Sequence, residues 1–326
     1  LSGLEFIKEP VRREFEALDV YFRSYLNTDV PIIDSVFNHL IEGGGKRFRP
    51  LLILLIASCS RKKITEDAFK LAVAVEFIHT ATLLHDDVVD QSDMRRGNKV
   101  AYRIWGTEWS VLSGDFLFAR AFNLLVDIGH IGILKAISSA TTKMARGEVL
   151  QLLRSYSTAT TREEYLEVIN GKTASIIAAS CKAAAFLAGL EGQVVETFHE
   201  FGLNLGLSFQ IVDDILDYTA QQGVFGKAIG KDFLEGKVTL PLIVLMEFLN
   251  ADEKHLVSDI FLKDSPEEKD FSTIMDLIKG HDALGKAMEI ASYFRDAALK
   301  ALAGIPSNPC RQSLESLAEY VLERSS

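Results

Sequence analysis

Three aspartates, Asp86, Asp87 and Asp90, stand in "LLHDDVVDQSDMRRG". Three more, Asp213, Asp214 and Asp217, stand in "FQIVDDILDY" with the same internal spacing. On a helix, residues four apart share a face, so Asp86 with Asp90 and Asp213 with Asp217 each present two carboxylates together. Like charges so placed weaken a helix by a few tenths of a kcal/mol per pair. A divalent cation with an anionic ligand would offset that cost. Hard carboxylate oxygens suit Mg²⁺, which binds one or two carboxylates together with substrate phosphates.

Basic residues follow each cluster. Arg95 and Arg96 come one turn after Asp90, and Lys227, Lys231 and Lys237 follow Asp217 in a glycine-containing stretch. Adjacent arginines either pair with surface carboxylates or clamp a phosphate in forked geometry. "GGGKRFRP" sets Lys46, Arg47 and Arg49 beside backbone that an oxyanion can approach. His79 lies two helical turns before Asp86, either as a core histidine or facing the same way as the acids. No nucleophile motif, dinucleotide fingerprint or Walker-type loop is present, and "GKVT" at 236–239 lacks the glycine spacing of one.

The elements that carry these residues read as helical nearly throughout. Hydrophobic residues make up 48% of the 326, prolines number seven, and strand-like alternation is scarce. The periodicity predicts helices over 4–27, 31–42, from Pro50, from a Thr65 cap to the first aspartates, from about Trp109, over 131–154, 162–188 with a break at Asn170-Gly171, 193–220, and from Pro241. The prediction is an all-α fold in a single domain, 1–326. A net charge of −10 argues against nucleic acid as partner. "LLILLIASC" is too short to cross a bilayer, and Lys182 interrupts the longer apolar stretch at 173–190, so no transmembrane segment is expected. Three scattered cysteines, Cys59, Cys181 and Cys310, fit a reducing cytoplasmic setting better than a disulfide framework.

With these motifs in order, and with "SGDFLFARAF", "NGKTAS" and "GKDFLEGKVTLPLI" between and after them, the chain resembles the trans-polyprenyl diphosphate synthases. It is most similar to the bacterial long-chain, octaprenyl-type members that make quinone side chains, and the likeness is strongest from Glu42 to Ile243. The resemblance implies a large helical bundle around a deep central cavity, usually homodimeric, whose apolar product leaves through loose membrane contact. It implies sequential condensation of isopentenyl diphosphate with an allylic diphosphate such as farnesyl diphosphate. Lys46, Arg49, His79 and Arg96 would hold isopentenyl diphosphate. Asp86, Asp90 and Asp213 would hold Mg²⁺, three ions with bound diphosphate, with Asp87, Asp214 and Asp217 as ligands or as supports of ligands. Arg95, Lys172, Lys227 and Lys237 would bind the allylic diphosphate. Thr173 and Gln210 would turn oxygens toward the developing cation. Lys231 stands where the family often has a neutral residue and has no assigned role. A shorter-chain synthase of geranylgeranyl type is the main alternative. A cyclase or squalene-type enzyme and a regulatory subunit are the others.

Product length in such a fold is counted back from Asp86, at ~5.4 Å per helical turn, roughly one isoprene unit. Ala81 and Thr82 are small, leaving the first gate open, whereas Ile78 and Val75 are deeper, moderate obstacles. Phe122, on the neighbouring helix, is either the floor or ordinary core. The resemblance to the octaprenyl-type members implies a long all-trans product. Ala81→Phe should therefore shorten the product without abolishing turnover. Chromatography of the dephosphorylated products checks this, and an unchanged distribution removes Ala81 as a gate.

Overall fold

The structure, a computed structural model, describes residues 3–26, 28–42, 45–60, 63–219, 230–263 and 267–323. The N-terminal half contains α1 (Gly3–Lys8), α2 (Arg12–Leu26), α3 (Pro31–Glu42), α4 (Phe48–Ala57), α5 (Glu66–Val89), α6 (Ala101–Trp105) and α7 (Thr107–Ile128). There follow α8 (Ile131–Arg154), α9 (Arg162–Ile169), α10 (Ser175–Leu187) and α11 (Gln193–Thr219). The chain then forms α12 (Lys231–Leu234), α13 (Leu240–Phe248), α14 (Ala251–Phe261), α15 (Glu268–Gly280), α16 (Ala283–Leu302) and α17 (Pro309–Glu323). Among the described residues the only strands are β1 (Met94–Arg95) and β2 (Asn98–Lys99), an antiparallel pair. The fold is all-α, as the periodicity predicts.

The first predicted helix is corrected. Pro10 has no N–H to donate and ends α1; a 3₁₀ turn, Glu9–Val11, carries the chain into α2. Thr65 does precede α5, in an extended conformation, but its side chain makes no capping hydrogen bond. The break expected at Asn170-Gly171 is a π-helical turn, Asn170–Ala174, between α9 and α10. Such single π turns recur where a helix must aim particular side chains.

The chain divides into two compact units. The first comprises Leu1–Ser139, Ala178–His199 and Leu302–Leu317. The second comprises Ala140–Ile177, Glu200–Ala301 and Ala318–Ser326. In the first unit α5 is the central helix, packed against α2, α4 and α7. Its Phe77 meets Phe37 edge-on, with ring centroids 5.3 Å apart, and Phe22 lies on its other side. Val75, Ile78 and Ala81, three residues apart, are completely buried, whereas Thr82 and Phe122 are half-buried. By length and composition α5 could cross a membrane, yet most of its apolar surface is already covered by this unit. α4 is buried from Pro50 to Ala57, which accounts for its unbroken run of Leu and Ile.

In the second unit helices approach closely through small residues. Gly206 of α11 lies against Ala174, where an added Cβ would come within 2.6 Å of the Ala174 Cα. Gly147 of α8 lies against the π turn, where an added Cβ would stand 2.7 Å from the Lys172 backbone nitrogen and 3.1 Å from the Gly171 carbonyl carbon. Replacing glycine by alanine inside an exposed helix ordinarily gains about 1 kcal/mol. Here the gain is overridden, because the new methyl would meet fixed backbone. Gly147→Ala should lose about 1–3 kcal/mol as overpacking does. Thermal melting reads this as a lower midpoint; a raised midpoint would refute the close approach.

Candidate functional site

Within the first unit, α5 brings Glu76, His79, Thr80 and Asp87 to one pocket. The segment before α4 adds Gly45 and Arg47, and the hairpin adds Arg95 and Arg96. The hairpin is built for the purpose. Arg96 and Gly97, the two residues between β1 and β2, have φ of 50° and 81°, the positive values that a two-residue type I′ connection needs. The tight turn places the Arg96 guanidinium against Gly45, at the position where a Cβ would stand 2.8 Å from its Nη1. Arg47 is also left-handed, with φ of 47°; its guanidinium pairs with Asp19 and lies over the Phe22 ring. Two non-glycine residues with positive φ at one pocket are a form of strain typical of functional sites.

Electrostatics follow from that crowding. Burial holds the His79 imidazole well below its usual range, and Arg49, Arg96 and Arg95 push it further down. It is therefore neutral at neutral pH and acts as a hydrogen-bonding group, leaving positive charge to the arginines. Burial pushes the Glu76 carboxyl up, against the opposing pull of Arg49, Arg47 and Arg96. Burial and Arg95 lower Arg96, while Glu76 supports its charge. Sequence reasoning missed Glu76. Its signal was present, since it is a charged residue inside "AVAVEFIH", one turn before His79. Lys46 is exposed and Arg49 half-buried.

The two aspartate triads share one arrangement. In each, the outer pair is half-buried and the middle residue is buried, with Asp87 1% and Asp214 5% exposed. Asp87 accepts hydrogen bonds on Oδ1 from Nε of Arg95 at 2.9 Å and from Nη2 at the same distance. Its buried Oδ2 has no hydrogen-bond partner among the described residues. Asp214 accepts from the Tyr165 hydroxyl on Oδ2 at 2.6 Å and from Nε2 of Gln210 on Oδ1 at 2.8 Å. Asp87 holds Arg95, and Asp214 holds Gln210. Burial, reinforced by Asp232, pushes the Asp214 carboxyl up, while its two donors pull it down. Burial and Asp214 together raise the Tyr165 phenol well above its ordinary value.

The outer pairs lie at helix C-termini. Asp86 opens the last turn of α5 and Asp90 caps it; Asp213 and Asp217 are in the last two turns of α11. There the helix macrodipole is negative, and neither helix supplies a basic residue in its last turn. Two carboxylates on the negative end of a helix form a donor set for a cation. Among the described residues no three His, Cys, Asp or Glu side chains form a ready cage.

The second unit has its own pocket, lined by Lys172, Thr173, Gln210, Asp214, Asp232 and Lys237 among others. The π turn aims Lys172 and Thr173. Thr173 donates to Oε1 of Gln210 at 2.7 Å, so Thr173, Gln210, Asp214 and Tyr165 form one chain of hydrogen bonds. This chain fixes which way the Gln210 amide points. The Lys172 ammonium lies 2.8 Å from both Glu148 and Gln151 of α8. Lys237 bonds Glu235 at 2.7 Å, and Lys231 pairs with Glu235 at 3.1 Å, which gives Lys231 a structural partner. Asp217 accepts the Asp232 backbone N–H at 2.9 Å, tying α11 to α12. Lys227, Gly43 and Gly44 lie outside the described residues. Tyr165 and Asp232 were not found in the sequence, because nothing local marks a tyrosine whose partner is 49 residues away.

The family model for polyprenyl synthetase matches residues 30–278. The chain is 38% identical to the all-trans-nonaprenyl-diphosphate synthase (geranyl-diphosphate specific) of Rhodobacter capsulatus, over 98% of this chain and 97% of that one. It is 36% identical to the octaprenyl diphosphate synthase of Haemophilus influenzae, over 100% and 98% of the two chains. Among solved structures, a polyprenyl synthase from Caulobacter crescentus complexed with calcium and isoprenyl diphosphate has a TM-score of 0.94 and 40% identity, covering 99% of this chain and 98% of that one.

The buried hydrogen-bond chain can be tested at its end. Tyr165→Phe leaves Asp214 Oδ2 buried without its donor and should cost about 1–3 kcal/mol. Denaturant unfolding measures the loss, and no change in midpoint would show that the contact contributes nothing.

Proposed function

The chain belongs to the polyprenyl synthetase family, and from that premise we propose that it is a long-chain all-trans polyprenyl diphosphate synthase acting through Mg²⁺. The observation that carries this reading is the repeated pairing, in each unit, of a half-exposed carboxylate pair at a helix C-terminus with a pocket of basic residues. A diphosphate held through metal by one and through cations by the other needs that combination. Identity of 38% to a nonaprenyl and 36% to an octaprenyl synthase supports a long product.

In this reading the chain is one synthase domain, and each triad binds diphosphate through metal. Asp86, Asp90, Asp213 and Asp217 would hold the ions. Bound Mg²⁺ would neutralise charge on the departing diphosphate and so favour ionisation of the allylic C–O bond. Arg95, kept in place by Asp87, would grip diphosphate in its unit, and Lys172 and Lys237 would supply positive charge to the pocket of theirs. Lys227 belongs to the same proposal on its sequence position alone. The first pocket would take isopentenyl diphosphate. Arg49 and Arg96 would supply charge, Lys46 would reach in from its exposed position, and neutral His79 would donate a hydrogen bond. Gln210 and Thr173, locked by Asp214 and Tyr165, would present oxygen to the developing cation without a water molecule that could quench it. Buried Ala81, Ile78 and Val75 would line the path of the growing chain.

Two finer points belong to the same proposal. The exposed apolar side chains of α7, Trp109, Leu112 and Val126, suit the face of a homodimer. The long-chain product would supply a quinone side chain. Incubation with farnesyl diphosphate, isopentenyl diphosphate and Mg²⁺ tests the central claim. Products should extend well beyond four units, and addition of a chelator should stop them. Accumulation at four units would favour the geranylgeranyl-type reading and sink the long-chain one.

A further inference from the structure

Outside the pockets, the first unit brings together two cysteines that are 251 positions apart in the chain. Cys59 follows the Ser58 C-cap of α4 and is half-buried; Cys310 is in the first turn of α17 and is 8% exposed. Two contacts hold the segments side by side. Ser58 Oγ lies 2.8 Å from the Cys310 sulfur. Asn308 Nδ2 donates to the Cys59 carbonyl at 3.4 Å. The Cys59 and Cys310 thiols are near enough to shift one another's acidity in opposite directions. No part of the proposed condensation uses either residue.

The two sulfurs differ in character. Cys59 pulls the Cys310 thiol down to about 6, against the opposing effect of burial. A first-turn position at a helix N-terminus acts in the same direction. Cys310 and burial push the Cys59 thiol up. Two neighbouring thiols of unequal acidity are the arrangement of an attacking and a resolving cysteine. Cys181, by contrast, is fully buried.

We propose that Cys59 and Cys310 form a reversible dithiol–disulfide pair, which closes on exposure to a small-molecule disulfide and fastens the start of α17 to the end of α4. The Cys310 thiolate attacks one sulfur of oxidised glutathione and expels a glutathione thiolate. Cys59 sulfur then attacks Cys310 in the mixed disulfide and expels the second thiolate, and the Cys59 proton goes with it. The protein dithiol loses two electrons, and oxidised glutathione gains them as two thiols. The closed loop spans most of the chain, so the bond restricts the unfolded state strongly.

The test exposes the folded full chain to oxidised glutathione, followed by peptide mapping by mass spectrometry and thermal melting. Expected are a cross-linked peptide pair containing Cys59 and Cys310, a higher melting midpoint, and return of both to the starting state with dithiothreitol. Cys59→Ser should stop at a glutathione adduct on Cys310. Cys181→Ser should leave the cross-link unchanged. Separate adducts on Cys59 and Cys310 without a cross-link would overturn the proposal, as would two unreacted thiols in protein that remains folded. Cys310→Ser should leave Cys59 unmodified under the same exposure. If that variant does not fold, the unmodified chain and Cys59→Ser decide the matter alone.

Discussion

Negative charge gathered at the negative end of a helix is the constraint on which the rest of this molecule turns. α5 and α11 each close on two carboxylates one turn apart, with no basic residue in the final turn. The dipole and the like-charge repulsion together disfavour that arrangement by an amount on the order of 1 kcal/mol per helix. The buried lengths of both helices hold it in place. Phe77 and Ile78 anchor α5 in the core of its unit, and Phe201, Leu205 and Ile211 do so for α11. Apolar packing thus keeps charges where they would not otherwise settle, and in the proposed function a divalent ion with its diphosphate would reverse the balance.

The buried middle aspartates divide labour differently from their outer neighbours. Asp87 accepts protein donors on one oxygen and Asp214 on both, and each so converts a position in a motif into a fixed direction for another side chain. Asp87 directs an arginine, whereas Asp214 directs an amide. Proteins that manipulate reactive cations need both kinds of rigidity. Charge must be placed beforehand, and an oxygen must face the cation without bringing mobile water with it.

Local signals carried much of this into the sequence. The i,i+4 acids, the helix boundaries at Pro31 and Gln193, and the break at Asn170-Gly171 are all written in neighbouring residues. What stayed hidden depends on distant partners or on the company a charge keeps. Tyr165 acquires meaning only through Asp214, and Glu76 only through the three arginines around it. Lys172 reads as a ligand for phosphate in its motif. In the fold its ammonium also meets Glu148 and Gln151, a full helix earlier in the chain. Pro10 was legible and went unused, because the apolar period runs on through the short 3₁₀ turn.

The π turn at Asn170–Ala174 amounts to one surplus residue in what would otherwise be a continuous helix from Arg162 to Leu187. Deleting a single amino acid there would let the hydrogen-bond ladder close regularly. Because the wide turn already absorbs that residue, the helix on either side would keep nearly its present phase, and only the side chains of the turn itself would be redirected. Lys172 and Thr173 could then no longer both keep their present directions. A straighter and better-bonded helix is thus one deletion away. The irregular turn gives up local backbone regularity in exchange for aim, and selection for stability alone would remove it.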